Sequence, residues 1–548
     1  MMTQPLAASM SEQLKERLES LGHATGTTLQ RETVRALDAL VRFYERRSFR
    51  PVWVCEAGLL PHTEAFVQVI SQADREGLSS TRYHLASIEQ LMTAERLDHA
   101  QLLSRTSRSR IDLELLLTDA FFIYGAHIST GQVAPRTLHE MWVVQRPEID
   151  LETQLQQAVE ANQVVELLQS LRPTHAGYVS LQKALISYRE IVARGGWPTI
   201  PEGPKLQRGD RGPRVMALRT RLGLTADLER GSAPVGDVFD PAVEQALQTF
   251  QARHGLDPDG IVGASTLMAL NVPAAARVHQ IELNMERWRW LPHTLEERYI
   301  LVNIANFALD VVEQGRSVLA MRVVVGKPER RTPSFSADMT YLVLSPHWYV
   351  PSTIAIQDKL PLIRRNPSYV ARQHFKLFRN GENGATRVDP LSVDWSAVSA
   401  RNFPYRLRQD PGPQNALGRV KFMFPNAHHV YLHDTPAREL FAKTARAFSS
   451  GCIRLEKPIE LAEYLLQDDP RWSREKILAT IASGAEQIVP LATTIPVHLW
   501  YWTAWVDEHG LVNFRKDIYT RDGVLAKALR DLPAWPTNES HATLARQS

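Results

Sequence analysis

The sequence predicts a multidomain α+β protein with a helical N-terminal scaffold, a three-helix module and a mostly-β C-terminal domain that carries a capping insertion. Apolar residues recur at three- and four-residue spacing up to about residue 200, which is the period of helices. A Pro/Gly-rich segment, WPTIPEGPKLQRGDRGP, then interrupts the chain. From about Ile281 the period changes to the alternation of apolar and polar residues that is typical of strands.

A chain of 548 residues is longer than a single hydrophobic core usually grows, so we expect several domains. We place the helical scaffold at 1–200, the three-helix module at 204–275 and the mostly-β domain at 280–525. The capping insertion covers about 352–412 inside that domain, because this segment is more polar and rich in arginine. Residues 526–548 are expected to form a C-terminal tail.

The composition is that of an ordinary soluble protein, with 44% apolar and 22% charged residues. A formal charge of +3, without any block of Lys and Arg, argues against nucleic acid as a partner. We expect no transmembrane segment, since no apolar run approaches the ~18 residues that span a bilayer. The N-terminal residues lack a basic start followed by an apolar stretch, so we expect no secretory signal in this chain, which does not settle its compartment.

Individual elements follow from the same patterns. The sequence EQGRS, around Gly315, predicts a hairpin between two strands. Gly195 and Gly196 are expected to end the last scaffold helix. The segment VHLWYWTAWVDEHGLVNF predicts a strand whose alternate residues face one way. Those residues are Val497, Leu499, Tyr501, Thr503 and Trp505.

Only two cysteines occur, so a disulfide framework is excluded. Cys55 lies in the distant segment PVWVCEAGLL, and we interpret it as a small buried apolar residue, although pairing with Cys452 is a formal alternative. Cys452 is different because it follows two serines and a glycine in SSGCIR. A turn of small residues leaves room for a second molecule to approach the sulfur.

A strand is predicted for AHHVYLHD, whose second-last residue, His433, lies nineteen residues before that cysteine. Period two directs Val430 and Leu432 to one face, and His429, Tyr431 and His433 to the other. A polar row of this kind typically lines a cleft. A nearby imidazole can accept the proton of a thiol, and backbone N–H groups at a Gly-Cys turn can stabilise an oxyanion. Cys452 and His433 therefore form a plausible acyl-transfer pair.

Two alternatives remain at this point. A lone cysteine is usually a packing residue. A metal site could recruit His428, His429, His433 and Cys452, but neighbouring strand residues point in opposite directions and no Cys-x-x-Cys or His-Glu-x-x-His motif is present. We therefore predict no metal.

The central module resembles a known family. The sequences LQRGDRGPRVMALRTRLG and FDPAVEQALQTFQARHGLDPDGIVGASTLMALN are similar to the peptidoglycan-binding module with a three-helix core. The matching positions are mostly caps, turns and core residues, so they indicate the fold better than the ligand. A purely structural module is the alternative.

The C-terminal domain resembles the YkuD-type L,D-transpeptidases. Their signature, a strand-borne histidine followed by Ser-x-Gly-Cys-aliphatic-Arg, matches HD at 433–434 and SSGCIR at 449–454. VVVGKPERRTPSF is similar to another family stretch, and SPHWYVPSTIA and PGPQNALGRVKFMFPN are similar to the YcbB-like branch. That branch has a helical scaffold, a peptidoglycan-binding module and a capped catalytic domain.

The resemblance implies a role for each site residue. Cys452 is the nucleophile, His433 the general base and acid, and the Gly451 N–H an oxyanion donor. Asp434 stands where glycine is more common, and either its side chain or its carbonyl orients His433. Substrate contacts are expected from the following residues: Tyr431, Ser450, Arg454 and Trp348. For Tyr431 and Trp348 simple packing is the alternative, and Arg454 can equally brace the loop.

The implied activity is 3→3 cross-linking of peptidoglycan through a Cys452 thioester, with release of D-Ala from a tetrapeptide donor stem. L,D-carboxypeptidase activity and attachment of a lipoprotein to peptidoglycan are enzymatic alternatives. A non-catalytic cell-wall-binding protein is the third. The expected partners are stem peptides and glycan, with accessory cell-wall synthesis proteins as a further possibility. No cofactor is expected, and the location is the periplasm or cell envelope.

Overall fold

The computed structural model describes residues 9–22, 28–100, 107–138, 142–143, 149–228, 236–381 and 384–532. Most of the expected C-terminal tail lies outside this part of the chain. Its first residues belong to a helix that ends at Arg530. Within the described ranges, no helix combines the length and apolar character that crossing a membrane requires.

The N-terminal region is helical, as the sequence predicts. Its helices are α1 (Met10–Gly22), α2 (Leu37–Arg46), α3 (Pro61–Ser71), α4 (Leu85–Ala100), α5 (Ser107–Thr130), α6 (Pro135–Leu138), α7 (Leu151–Ala161), α8 (Val164–Ser170) and α9 (Ala176–Ala193). Short strands connect them: β1 (Thr28–Leu29), β2 (Glu32–Thr33), β3 (Val54–Cys55), β4 (Gly58–Leu59) and β5 (Trp142–Val143). Cys55 is only half-buried and unpaired, so its prediction as a buried residue is wrong.

Helix α5 is the centre of the scaffold, and its buried carboxylates hold the surrounding loops. Glu114 accepts hydrogen bonds from the backbone N–H groups of Trp53 and Val54, at 2.9 and 3.1 Å. Asp119 accepts one from Ala36 at 2.7 Å and contacts Nε2 of His84 at 2.7 Å. Because a buried carboxylate without partners is costly, these bonds fix where the loops meet the helix.

The three-helix module comprises α10 (Pro213–Leu224), α11 (Pro241–Arg253) and α12 (Ala264–Leu270). It packs directly against the C-terminal domain. Arg253 is buried, pairs with Asp227 and donates a hydrogen bond to the carbonyl of Val512 at 2.7 Å. Arg515 returns a hydrogen bond to the Arg253 carbonyl at 2.8 Å. These charge-assisted bonds hold the module in a fixed position on that domain.

Strand structure begins later than the sequence predicts. Helix α13 (Ala274–Arg289) occupies the place where the period was expected to change, and the first strand of the C-terminal domain starts at Arg298. The helix buries Glu286 and Arg289, which pair with each other at 2.9 Å. Polar residues on a buried face disguise the helical period, which explains the error.

The C-terminal domain is built on one large sheet. Its strands are β6 (Arg298–Asn303), β7 (Ala308–Glu313), β8 (Arg316–Gly326), β9 (Ser334–Leu344), β14 (Val420–Met423), β15 (Leu432–His433), β16 (Ala447–Ser449), β17 (Ile453–Leu455) and β18 (Gln487–Trp500). Among the described residues the order is β14-β15-β17-β8-β7-β6-β18-β9-β5, and β14 also pairs with β9, so the strands close into a ring. The β7–β8 hairpin turns at Gly315, as predicted. The scaffold contributes β5 to this sheet.

The capping insertion forms a smaller sheet with the order β10-β13-β11-β12. Its strands are β10 (Trp348–Tyr349), β11 (Phe375–Gly381), β12 (Gly384–Val388) and β13 (Tyr405–Gln409). Its helices are α14 (Ser352–Ile354), α15 (Leu360–Arg365) and α16 (Tyr369–Arg372), with a π-helical turn at Ala355–Lys359. The insertion therefore starts at Trp348, slightly before the expected 352, and has its own apolar core.

The end of the domain departs from one long alternating strand. Val497, Leu499 and Tyr501 face the sheet core, as expected. The strand ends at Trp500, and Trp505 belongs to a separate hairpin of β19 (Ala504–Val506) and β20 (Val512–Phe514). The remaining helices are α17 (Pro458–Leu466), α18 (Arg474–Ala482) and α19 (Arg521–Arg530).

We predict that His84 makes scaffold stability depend on pH. Burial lowers the pKa of His84, but hydrogen bonds and charges from Asp119 and Glu32 outweigh burial and raise it. Its contribution to stability is therefore complete below about pH 6.5, the pKa in the unfolded chain, and is lost as pH rises through the folded-state pKa. Urea unfolding followed by circular dichroism should give a higher midpoint at pH 6 than at pH 8.5.

The control is His84→Asn, since asparagine tolerates the backbone angle φ of 55° at this position. In this variant the difference between the two midpoints should shrink, and the unfolding free energy should fall by about 3 kcal/mol because Asp119 loses its charged partner. An equal pH dependence in both proteins would contradict the assignment.

Candidate active site

Strand pairing brings the predicted site residues to one face of the sheet. In the parallel pair β15–β17, Leu432 lies opposite Ile453, and His433 lies opposite Arg454. In the antiparallel pair β14–β15, Lys421 lies opposite His433. Leucine and isoleucine point into the core, so the intervening residues point to the other face. Lys421, His433 and Arg454 thus form a row across three strands.

Residues before His433 form a turn, not the predicted strand. The Asn426 side chain accepts hydrogen bonds from the N–H groups of His428 and Val430, at 3.0 and 3.2 Å. His429 has a left-handed backbone with φ of 55°, is exposed, and does not belong to the polar row. The asparagine competes with the strand ladder for these backbone groups, which explains the error.

The histidines of the turn do not converge on the cysteine. The His428 ring packs against Phe335 with 5.1 Å between centroids. The carbonyl of His429, not its ring, faces the Cys452 sulfur at 3.9 Å. In the described residues no group of three or more His, Cys, Asp or Glu side chains is arranged to hold a metal.

A short hydrogen-bonded loop presents Cys452. Gly451 has φ of 118°, which a residue with a side chain rarely adopts. Its carbonyl accepts a hydrogen bond from the Thr332 hydroxyl at 2.8 Å, and its N–H donates one to Ser449 Oγ at 3.1 Å. Cys452 as a whole residue is half-buried. The Gly451 N–H is therefore already engaged, which weighs against its predicted role as an oxyanion donor.

His433 is buried and held in one orientation. Its Nδ1 donates a hydrogen bond to the backbone carbonyl of Asp434 at 2.6 Å, so Nε2 is left as the basic nitrogen. The Asp434 side chain points elsewhere, accepting from the N–H and Nε of Arg419 at 2.9 and 3.2 Å. Of the two alternatives from the sequence, the structure has the carbonyl on the histidine.

Electrostatics keep His433 neutral. Burial lowers the pKa of this imidazole to about 3, and the neighbouring Arg454 and Lys421 charges act in the same direction. The hydrogen bond to the Asp434 carbonyl opposes the shift without reversing it. A stable thiolate–imidazolium pair is therefore disfavoured in the resting protein.

Tyr431 lies next to Cys452 at the start of the β15–β17 ladder, since its carbonyl accepts a hydrogen bond from the N–H of Ile453 at 3.1 Å. Burial raises the pKa of the thiol, while hydrogen bonds from the backbone N–H and the hydroxyl of Tyr431 lower it. The positive charges of Lys421 and Arg454 lower it further. The tyrosine ring also lies 5.7 Å from the His433 ring. Tyr431 therefore opposes the effect of burial on the thiol, and its predicted contact with substrate, with packing as the alternative, stays a prediction.

Arg454 and Lys421 differ in what the sequence could reveal. Arg454 is part of the SSGCIR motif, and its half-buried guanidinium has an Nε atom without a hydrogen-bond partner among the described residues. Sequence reasoning missed Lys421, which lies in the segment GRVKFMF. Its only signal was a lysine within an otherwise apolar strand. Its ammonium lies 4.1 Å from the centroid of the Tyr431 ring.

Ser450 links the cysteine loop to the capping insertion. Its hydroxyl accepts a hydrogen bond from Arg330 at 3.0 Å. The same guanidinium binds both carboxylate oxygens of Asp358, at 2.5 and 2.7 Å, and the Gln357 side chain at 2.7 Å. Asp358 and Gln357 belong to the π-helical turn of the insertion. Arg330 therefore clamps the insertion beside Cys452.

Trp348 lies in the core of the capping insertion. It packs against Phe375 with 5.8 Å between ring centroids, and the Lys359 ammonium lies 5.8 Å from its ring. Only 8% of its surface is exposed. Packing, the alternative reading of this tryptophan, accounts for these contacts.

Comparison with known families agrees with the fold. Residues 297–476 match the YkuD model, described as the L,D-transpeptidase catalytic domain. Residues 211–270 match the model of a peptidoglycan binding domain, and residues 38–185 match a scaffold domain. The chain thus contains a YkuD L,D-transpeptidase catalytic domain and a peptidoglycan-binding domain, as predicted.

The chain aligns with only part of the length of each individual relative. A Haemophilus influenzae protein assigned as an L,D-transpeptidase is 36% identical over 243 residues, which are 44% of this chain and 48% of that protein. The N-acetylmuramoyl-L-alanine amidase CwlM of Mycobacterium tuberculosis is 38% identical over 80 residues, 13% of this chain and 20% of that protein. The chain therefore spans about half of the first relative.

Solved structures of the class also align. An L,D-transpeptidase from Xylanimonas cellulosilytica has 18% identity and a TM-score of 0.19, covering 55% of this chain and 100% of that one. An L,D-transpeptidase from Mycobacterium smegmatis has 15% identity and a TM-score of 0.19, covering 37% and 58%. Scores of this size carry no argument.

We predict that Gly418→Ala disrupts the structural support of His433. A Cβ atom at Gly418 would lie 2.4 Å from Cγ of Asp434, the neighbour of His433, and the glycine has φ of 61°. Urea unfolding should show a loss of about 3 kcal/mol, combining backbone strain with overpacking.

The matched control is Gly484→Ala, because Gly484 has a similar φ of 68° and nothing within 4 Å of the added Cβ. It should lose only about 1 kcal/mol, the cost of the backbone strain alone. Equal losses in the two variants would show that the contact with Asp434 does not matter.

Proposed function

We propose that this protein is an L,D-transpeptidase that forms 3→3 cross-links in peptidoglycan through a Cys452 thioester. The observation that carries the proposal is a half-buried Cys452 that follows from the same strand ladder as the buried His433, inside a YkuD catalytic domain. The peptidoglycan-binding domain on the same chain supports peptidoglycan as the partner. Such a substrate implies action outside the cytoplasm, in the periplasm or cell envelope.

The first half-reaction is acylation. The Cys452 sulfur attacks the carbonyl carbon that joins the third stem residue to the terminal D-Ala. His433 accepts the thiol proton as the C–S bond forms, because its low pKa disfavours earlier transfer. The same proton then goes to the departing D-Ala amine, and a thioester remains. Two electrons from sulfur form the new bond, and the C–N electrons leave with D-Ala.

The second half-reaction reverses these roles. The side-chain amine of a second stem attacks the thioester, and His433 removes its proton and returns it to the sulfur. Water as the acceptor would give L,D-carboxypeptidase activity, and a lipoprotein amine would give ligation. These outcomes differ only in the acceptor.

The oxyanion and the substrate require donors. The Cys452 N–H serves as the oxyanion donor in place of the Gly451 N–H, which is engaged by Ser449. Arg454, with its unpartnered Nε, is suited to a carboxylate of the stem peptide. Ser450 borders the same opening, and Asp434 orients His433 through its carbonyl.

We predict that Cys452→Ala abolishes transpeptidation without unfolding the protein. Purified protein is incubated with sacculi rich in tetrapeptide stems, and the digested muropeptides are separated and identified by mass spectrometry. The unmodified protein should produce 3→3 dimers and free D-Ala, and the variant should produce none, a loss of at least about 10³-fold.

Cys55→Ala is the matched control and should keep full activity, since Cys55 lies in a scaffold hairpin. Full activity of Cys452→Ala would refute the mechanism. Shortened stems alone would instead indicate a carboxypeptidase, protein adducts a ligase, and unchanged muropeptides a non-catalytic cell-wall binder.

We also predict that carbapenems acylate Cys452. The Cys452 sulfur attacks the strained β-lactam carbonyl, the C–N bond of the ring breaks, and its nitrogen takes the proton but stays tethered to the acyl group, so the thioester adduct persists. Intact-mass spectrometry should show one added carbapenem on the unmodified protein and on Cys55→Ala, and none on Cys452→Ala. An unmodified mass after prolonged incubation, or an adduct that requires Cys55, would count against the site.

A further inference from the structure

A neutral His433 does not by itself explain how the thiol is activated, because a thiol is a weak nucleophile until it loses its proton. In the resting protein the imidazole is a poor acceptor, since burial and two neighbouring cations lower its pKa to about 3. The groups that stabilise the thiolate must therefore come from elsewhere in the site.

Lys421 lies where such a group is needed. It stands opposite His433 on β14, next to β15, which Tyr431 directly precedes, and on the face of the sheet away from the core. Its ammonium lies 4.1 Å from the centroid of the Tyr431 ring. The Tyr431 carbonyl is bonded to the N–H of Ile453, the residue after Cys452, and the tyrosine hydroxyl opposes the rise that burial causes in the pKa of the thiol. A cation over the ring withdraws electron density and strengthens the hydroxyl as a donor.

The charged groups that act on the Cys452 sulfur come from the strands on either side of β15. Lys421 on β14 and Arg454 on β17 are positive and lower the pKa of the thiol, while β15 contributes the neutral His433 and the turn before it contributes Tyr431. Burial lowers the pKa of Lys421 and of Arg454, and the charge of the Cys452 thiolate opposes this shift in both, with smaller contributions from Glu486 on Lys421 and from Glu439 on Arg454. The sulfur therefore lies in a positive environment.

We infer that Lys421 is a positioning residue for the proposed reaction: its ammonium, held over the Tyr431 ring, stabilises the Cys452 thiolate directly and through the tyrosine hydroxyl. The inference rests on the proposed function. It divides the work of activation, since Lys421 and Tyr431 favour loss of the thiol proton while His433 moves protons during the two acyl-transfer steps. The half-burial of Lys421 keeps its charge poorly screened by solvent.

The test measures the thiol without requiring transpeptidation. The rate of iodoacetamide alkylation is followed against pH in a Cys55→Ala background, so that Cys452 is the sole cysteine. Lys421→Met should move the midpoint of this profile upward by about one pH unit, and thus slow alkylation at neutral pH about tenfold. Lys421→Arg, which keeps the charge, should stay close to the parent profile.

Lys476→Met is the control for a generic loss of charge, because Lys476 is exposed on α18, and its profile should match the parent. Tyr431→Phe is a second variant that tests the relay if Lys421→Met fails to fold, and it should also move the midpoint upward. Coincident profiles for the parent and Lys421→Met, or an unchanged midpoint in folded Tyr431→Phe, would overturn the inference.

The two proposals fail separately. If the muropeptide assay shows no product while Lys421→Met still moves the alkylation profile, the role of Lys421 stands and the proposed function falls. If 3→3 dimers form but the profiles coincide, the function stands and Lys421 is an ordinary surface-facing lysine.

Discussion

The parallel pairing of β15 with β17 is the constraint on which the site depends. It places Leu432 beside Ile453 and His433 beside Arg454, so that the Cys452 loop follows directly from the same ladder. The Ile453 N–H donates to the Tyr431 carbonyl at 3.1 Å and fixes this register. A slip by one residue would turn every side chain of the strand to the opposite face and bury the polar row in the core.

The positive charges near Cys452 and His433 have opposite effects on the ionisation of the thiol and of the imidazole. Cations near a thiol favour its ionised form, whereas cations near an imidazole disfavour its ionised form. Lys421 and Arg454 act on both groups at once. The resting protein is therefore expected to hold an activatable thiol beside a neutral base, and proton transfer belongs to the bond-making steps. Arg330 links this site to the capping insertion, since it is hydrogen-bonded both to Ser450 of the cysteine loop and to Asp358 of the insertion.

Sequence patterns predicted the elements that depend on residues close together in the chain. The hairpin at Gly315 and the alternation of Val497 and Leu499 follow from turn chemistry and strand period, and the structure has both. The turn at 424–431 did not follow, because one asparagine side chain replaces the strand ladder there. Helix α13 was missed because it buries charged residues, among them Glu286, which accepts a hydrogen bond from the Val133 N–H, and Arg287, which pairs with Asp522. The role of Lys421 could not be predicted from the sequence, since it depends on the pairing of β14 with β15 across the sheet.

The protonation of His433 is the most direct measure of this site. Nuclear magnetic resonance of protein labelled with ¹⁵N-histidine, with His433 assigned by loss of its signals in His433→Gln, reports each ring nitrogen separately. A neutral ring with a protonated Nδ1 and a bare Nε2, unchanged between about pH 5 and pH 8, is the expected result. A ring that titrates within that range, or carries its proton on Nε2, would contradict it.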